Sequence, residues 1–190
     1  FPLDGASGED RVPSSLRKAA DTIDILGLNS GEHLVATLET TTFADANAGR
    51  SPYQTQARAA DDGLGSIVVL EAETGSGKTE AALWRFLNLL RRGEVDGLYF
   101  ALPTRTSAVQ IHDRVQKTLD RLFGQGKLQA VLAVPGYLRA GGEEGTPLGK
   151  FETQWPDDER DRLEDARWSA ERPKRYLSAR VAVGTVDQAL

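Results

Sequence analysis

The sequence predicts an α/β fold in which a parallel sheet is flanked by helices. Three observations predict it. Short runs rich in aliphatic residues recur at 66–71, 97–102, 128–134 and 180–184. Helix-forming stretches at 81–92 and 106–123 alternate with them, the pattern of strand–helix–strand crossovers. The turn between the first run and the first of these helices is glycine-rich and ends in Lys78-Thr79, an arrangement suited to holding a phosphate at a helix N-terminus.

Taken in order, residues 1–13 carry Gly5, Ser7 and Gly8 between Pro2 and Pro13 and read as a linker. A helix is expected over 14–28, where Leu16, Ala20, Ile23 and Leu26 share one stripe and Gly27 supplies the stop. The stretch 32–43 stays open between strand and helix, and 44–52 reads as loop. A helix over 54–61 leads through Gly63 and Gly65 into the run 66–71, whose β-branched residues predict a strand buried on both faces. The following helix ends at Gly93, and the strand at 97–102 is stopped by Pro103. From 106 to 123, Ala108, Ile111, Val115, Leu119 and Leu122 recur at helical spacing before Gly124 and Gly126. A third strand over 128–134 closes on Pro135-Gly136. Residues 139–174 change character, opening on Gly141-Gly142-Glu143-Glu144-Gly145 and carrying a mixed-charge stretch over 157–171. They read as a polar insertion with one solvated helix. A last strand at 180–184 and a helix start at 185–190 complete the pattern. The chain divides into an N-terminal linker and helical segment, 1–50, and an α/β lobe, 51–190.

The chemistry centres on Ala72-Glu73-Thr74-Gly75-Ser76-Gly77-Lys78-Thr79-Glu80. Gly75 and Gly77 let the backbone wrap an anion without a Cβ clash, so several N–H groups point inward. Lys78 supplies a mobile charge for the β- and γ-phosphates, and the Thr79 hydroxyl suits Mg²⁺. The helix N-terminus behind them adds partial positive charge. The usual pattern begins with Gly six residues before the Lys, where this chain has Ala72. Candidate nucleotide-binding residues are therefore Thr74, Gly75, Ser76, Gly77, Lys78, Thr79 and Glu80, with Lys78 catalytic and Thr79 the metal ligand.

Two more turns follow strands: Pro103-Thr104-Arg105-Thr106 and Gly184-Thr185. Ligands of open parallel sheets sit beyond the carboxyl ends of the strands, so all three turns are expected along one edge. Hydroxyls and N–H groups at helix starts, with Arg105 beside them, suit a second phosphate chain. Either threonine alone reads equally well as an N-cap.

Bulk properties bound the partners. Of 190 residues, 39% are hydrophobic and 27% charged, enough for a real core. No run is long enough for a membrane span, and no signal-peptide core follows Phe1. With no cysteine in the chain, disulfides and thiolate metal sites are excluded, which suits a cytoplasmic protein. Methionine is absent even at position 1, so the chain is expected to be a piece of something larger. The net charge of −5 lends nucleic-acid binding no support beyond local patches.

The loop, extended as Leu70-Glu71-Ala72-Glu73-Thr74-Gly75-Ser76-Gly77-Lys78-Thr79-Glu80-Ala81-Ala82-Leu83, resembles motif I of superfamily 2 helicases. It is most similar to that of the CRISPR-associated helicase–nucleases of type I interference. Ala101-Leu102-Pro103-Thr104-Arg105 resembles the family's motif Ia, and Arg175-Tyr176-Leu177 the segment leading to its next motif. Val183-Gly184-Thr185-Val186-Asp187-Gln188-Ala189-Leu190 is the most family-specific block. Glu73 departs from the usual Pro, and Pro135 stands where a His is common. The resemblance covers about residues 52–190 and implies the first RecA-like lobe of an ATP-dependent helicase using ATP and Mg²⁺. It implies single-stranded DNA on Thr104, Arg105, Gly184 and Thr185. A second RecA-like lobe, a nuclease domain and an RNA-guided CRISPR surveillance complex are the implied partners.

By the same resemblance Gln56 matches an adenine-reading glutamine, whose amide both donates and accepts; Gln54 and an ordinary solvated glutamine remain open. The acidic motif that such helicases need to hold Mg²⁺ and position water is expected beyond Leu190. This chain alone is therefore expected to bind nucleotide weakly without turning it over. His112-Asp113 spells the dipeptide of the family's nuclease, but His33 is the one other histidine, so His112 reads as structural and the nuclease as lying elsewhere. A non-motor P-loop switch and another superfamily 2 repair helicase stay open as alternatives.

Overall fold

The computed structural model describes residues 13, 15–19, 32–61, 65, 67–148, 152–156 and 166–189. Pro13 and residues 15–19 are helical; the rest of the helix expected over 14–28 lies outside the described residues. The open stretch after it is helical. It forms α1 (Glu32–Glu39) and α2 (Phe43–Ala46). Thr42 starts α2 with a capping box, accepting from the Asp45 N–H at 3.2 Å while the Asp45 carboxylate accepts from the Thr42 N–H at 2.8 Å. Next come α3 (Gln54–Asp61) and α4 (Lys78–Arg91), packed together. Arg85 of α4 donates to the Ala59 carbonyl at 3.0 Å.

Helix α4 ends by a Schellman closure. Gly93, at φ +67°, donates to Leu90, and Glu94 donates to Leu89. Helix α5 (Arg105–Phe123) begins at Thr104, whose Oγ accepts from the Ser107 N–H at 3.2 Å, and stops at Gly124. Their apolar stripes cover the same face of the sheet. Leu83, Phe86, Leu87 and Leu90 of α4 meet Val115, Leu119 and Phe123 of α5 over Val181 and Val183. Trp84 packs edge-on against Phe43, with ring centroids 5.8 Å apart, and so belongs to this packing.

The sheet contains β1 (Leu98–Leu102), β2 (Ala130–Ala133), β3 (Arg139–Ala140), β4 (Glu143–Glu144) and, after the hairpin β5 (Thr146–Leu148) and β6 (Glu152–Gln154), β7 (Val181–Thr185). Strand order is β1-β7-β2-β3-β4. β7 runs parallel to both neighbours, while β3 and β4 add antiparallel at one side. Lying between β1 and β2, β7 is buried along its whole length, as a strand covered on both faces must be. Its side chains alternate: Val181 and Val183 face the helices, whereas Ala182 joins Val131, Ala133, Ala140, Ala170 and Tyr176 on the other side.

Two side chains lock α5 to β2. The Ala130 carbonyl can only accept, so His112 carries its proton on Nε2 and donates at 2.9 Å. Gln116 accepts from the Ala130 N–H at 2.7 Å and donates to the Leu128 carbonyl at 3.2 Å. His112 is fully buried. Burial, acting against the backbone hydrogen bond, holds its pKa below the ordinary 6.5.

Two expectations are corrected. The run at 66–71 is not a strand in its described part. Residues 67–71 pair with no strand, and Ile67 and Val69 are 93% and 79% exposed. Strand propensity reports how a side chain fits a pleated, covered surface. Among the described residues neither a neighbouring strand nor a covering helix meets this run. The solvated helix expected in the insertion is also revised. Its stretch 157–165 lies outside the described residues, and at 166–170, which is helical, Arg167, Ser169 and Ala170 are buried. Arg167 is tolerated there because Nη2 and Nε both donate to Glu143, at 2.7 and 3.1 Å, while the guanidinium lies 5.7 Å from the Trp155 ring.

Candidate nucleotide and nucleic-acid sites

The phosphate loop takes the conformation its glycines were expected to allow. Gly75 and Gly77 sit at φ +84° and +87°, in the left-handed region. Gly77 is the N-cap of α4, and no side chain caps that helix. The Ser76 N–H turns back to the Glu73 carbonyl at 3.2 Å. No backbone carbonyl among the described residues accepts from Gly77, Lys78 or Thr79, so these donors at the start of α4 stay open. Two polar atoms beside them, Ser76 Oγ and Glu80 Oε2, are buried without a hydrogen-bond partner. Buried polar atoms are nearly always paired. An anion with a hydrated cation, as Mg²⁺–ATP presents, supplies partners for both kinds of group, so the residues present fit it.

Lys78 folds back over the loop. Its Nζ donates to the carbonyls of Ala72 and Glu73 at 2.5 and 2.7 Å. These contacts hold the ammonium above the loop, where phosphate oxygens can replace the carbonyls.

Gln56 is anchored against the same loop. Buried to 3% exposure, it accepts from the Tyr53 N–H at 2.8 Å and donates from Nε2 to the Gly77 carbonyl at 3.1 Å. A Cβ on Gly77 would lie 2.1 Å from that nitrogen, so with Gln56 placed as it is, glycine suits the position by close approach as well as for dihedral reasons. Gln56 is thus not a solvated glutamine; the side chain of Gln54 lies outside the description.

The remaining candidates gather at the carboxyl ends of β1 and β7, where Leu102 is in register with Thr185 and Ala101 with Gly184. The turn carrying Thr104 and Arg105 therefore lies beside the short 3-10 turn Val186–Gln188. The Asp187 carboxyl is held below its ordinary value first by the Thr185 side chain, then by Gln188, with the charge of Arg105 adding to them. Thr104 is an N-cap, as its alternative reading holds. Thr185 is 5% exposed, and its carbonyl accepts from the Tyr99 hydroxyl at 3.0 Å. Burial, and secondarily Asp187, push the Tyr99 phenol up, keeping it a neutral donor. Gly184 is buried, and a Cβ there would meet the Ala133 carbonyl and Tyr99 hydroxyl at 2.4 Å each. Its evident work is to let these strands and Tyr99 approach.

The structure thus forms two groups, Gln56 with residues 74–80, and Thr104 and Arg105 with Gly184 and Thr185. No hydrogen bond among the described residues joins the loop directly to either of the other turns. The link runs through the helices, where Arg114 of α5 donates to Glu80 Oε1. Sequence reasoning missed Arg114 and Tyr99, because an arginine on the flank of an amphipathic helix and a tyrosine in a strand carry no signature of their own. Beside the Arg114–Glu80 pair a cavity of about 210 Å³ is lined by Thr79, Arg50, Lys117, Thr118 and Arg121. Among the described residues no three His, Cys, Asp or Glu side chains cluster to hold a metal, and no helix is long and apolar enough to cross a membrane. On the surface, Trp168 is half exposed with the Arg175 guanidinium 4.2 Å from its ring, and Arg175 pairs with Glu171 at 3.3 Å.

Comparison with known proteins agrees with this geometry. The DEAD/DEAH box helicase family matches residues 53–137, from beside Gln56 through the phosphate loop to the end of the third strand region. The CRISPR-associated endonuclease/helicase Cas3 of Thermus thermophilus is 35% identical over 135 residues, covering 65% of this chain and 13% of that protein. Its namesake from Escherichia coli K12 is 28% identical over 124 residues, covering 65% of this chain and 14% of the relative. The chain therefore spans about one seventh of the curated relatives it matches. No solved structure matches. With its largely parallel sheet, phosphate loop and flanking helices, the chain has the build of a RecA-like lobe; it is similar to DEAD/DEAH box helicases over residues 53–137 and to Cas3 helicase–nucleases over 65% of its length.

Proposed function

We propose that this lobe binds Mg²⁺–ATP in a motor that moves along single-stranded DNA, in the cytoplasm, as part of CRISPR type I interference. The observation that carries the reading is the loop: left-handed Gly75 and Gly77, open N–H groups at the start of α4, and Gln56 anchored at Gly77. The N–H groups of Gly77, Lys78 and Thr79 receive the β- and γ-phosphates, with Thr74, Gly75 and Ser76 lining the loop. Lys78 leaves the Ala72 and Glu73 carbonyls for phosphate oxygens and steadies the charge that develops in transfer. Thr79 would hold the cation, with the unpartnered Glu80 Oε2 beside it as an acceptor. When bound, the cation would supply charge neutralisation at the phosphates. Gln56 stands at the loop where it can read the adenine edge. Thr104, Arg105 and the Gly184–Thr185 turn hold the DNA backbone, a contact without sequence information and weakened by salt. A second RecA-like lobe, a nuclease domain and an RNA-guided complex are the partners this reading requires; the acidic motif that hydrolysis needs lies in the parent chain beyond Leu190, and the second lobe supplies the arginines. The chain alone binds nucleotide without turning it over.

The test is nucleotide binding and DNA-stimulated ATPase in the full-length protein carrying this chain. Lys78→Ala is expected to lower affinity for an ATP analogue by about tenfold to a hundredfold, the worth of a charged hydrogen bond, with the melting temperature little changed. ATP binding without any effect of single-stranded DNA would instead favour a nucleotide switch. Turnover by the chain alone, abolished by Lys78→Ala, would overturn the claim that it is inactive.

A further inference from the structure

Glu80 sits one residue past the candidate metal ligand, and its two oxygens have different surroundings. Oε1 is held by Arg114 from α5. Oε2 is buried without a donor and lies 3.6 Å from where a Cβ on Gly77 would project, so it faces the base of the phosphate loop. The Glu80 side chain is 23% exposed and that of Arg114 53%. An ion pair of that exposure contributes little to stability, so its interest lies in what it joins.

Arg114 belongs to the helix that starts at Thr104. By helical rise it stands about 14 Å from Arg105 along one continuous rod. The N-terminal end of that rod lies beside the turn after β7, with Leu102 in register with Thr185 and the charge of Arg105 acting on Asp187. Its body is fixed to β2 by His112 and Gln116. Because these anchors flank Arg114, α5 and β2 shift as one body, and a displacement of that body at the Thr104–Arg105 end carries Arg114, which holds the carboxylate beneath the loop. Among the described residues this pair is the polar contact that joins the start of α4 to the helix carrying Arg105.

We propose that Arg114 is a positioning residue: by orienting Glu80 against the phosphate loop it couples nucleotide occupancy to the grip on the DNA backbone. The proposal rests on the motor reading above. It predicts reciprocity, since a nucleotide that changes DNA affinity must have its own affinity changed by DNA by the same factor.

The experiment measures the dissociation constant for a single-stranded oligonucleotide in the full-length protein, with and without a non-hydrolysable ATP analogue. Melting temperatures are recorded alongside. In the wild type the ratio of the two constants is expected to be roughly fivefold or more, a typical coupling. In Arg114→Gln it falls toward one, while the affinity for each ligand alone stays within about twofold. Arg114→Lys, which keeps the charge, restores much of the ratio. A ratio unchanged in Arg114→Gln overturns the coupling and leaves the motor reading standing. Equal losses of both separate affinities with a lowered melting temperature overturn it too, assigning the pair to fold maintenance. A wild type that binds neither ligand removes the motor reading itself and this inference with it.

Discussion

The phosphate loop and the paired ends of β1 and β7 are built in opposite ways. At the strand ends contacts within the fold dominate: Tyr99 reaches the Thr185 carbonyl, Thr104 caps α5, and Gly184 disappears between Ala133 and Tyr99. At the loop, among the described residues, the N–H groups of Gly77, Lys78 and Thr79 are open and Ser76 Oγ and Glu80 Oε2 unmet. The run leading into it lies exposed. The strand ends are held by packing and the loop by dihedral preference and two tethers, Gln56 and Arg114. Substitutions should therefore act through steric overlap in the first region and through ligand affinity in the second.

The largest expected effect on stability is Gly184→Ala. Its Cβ would stand 2.4 Å from a backbone carbonyl in the central strand, and overpacking of that kind costs about 1–3 kcal/mol. Chemical denaturation should place it near the top of that range, since both neighbours of β7 would have to move.

Next come the two loop glycines, which separate dihedral strain from contact. Gly75→Ala meets nothing within 4 Å and carries only the left-handed penalty, about 1–2 kcal/mol. Gly77→Ala bears the same penalty and also drives the Cβ into Gln56. Titration with an ATP analogue should show a clearly greater loss of affinity for Gly77→Ala. Equal losses would mean that Gln56 moves aside freely and does not brace the loop.

A smaller effect is expected of His112. Its folded pKa lies below 6.5 because burial disfavours the imidazolium, so the unfolded chain binds more protons in the interval between the two values. Stability is complete above about pH 6.5, declines as pH falls toward the depressed folded value, and levels off beneath it. His112→Gln retains a donor for the Ala130 carbonyl and should flatten that decline in melting curves taken at successive pH values.

Local chemistry explains what was legible in the residues. The spacing of Ala108, Ile111, Val115 and Leu119 is that of α5, the aliphatic runs at 98–102 and 181–184 are parallel strands, and Gly75-Ser76-Gly77-Lys78-Thr79 is a helix-capping loop. Glycine signals of this kind depend on a few neighbouring atoms. Strand pairing depends on residues far away, so nothing within 139–144 announces that β3 and β4 extend the sheet. The partners of Gln56, Glu80 and Tyr99 lie 21, 34 and 86 positions away, beyond the reach of any local pattern. His112 was legible as structural from the shortage of further histidines, though not its hold on Ala130.

The smallest effect tests the comparison most directly. Ile67 and Val69 are exposed in this chain, although their β-branched side chains belong to the residue types found in buried parallel strands. Replacing each with Thr keeps the branching and removes apolar surface. At exposed positions such changes stay within about 0.5 kcal/mol, whereas a buried strand would lose about 1–3 kcal/mol from each uncompensated hydroxyl. Measured in the chain alone, Ile67→Thr and Val69→Thr should be nearly silent. Measured in the full-length protein, a loss above 1 kcal/mol would show that further chain supplies a strand beside this run. The contrast between the two regions would then narrow, because the loop would gain the same kind of support that β1 gives to Thr185.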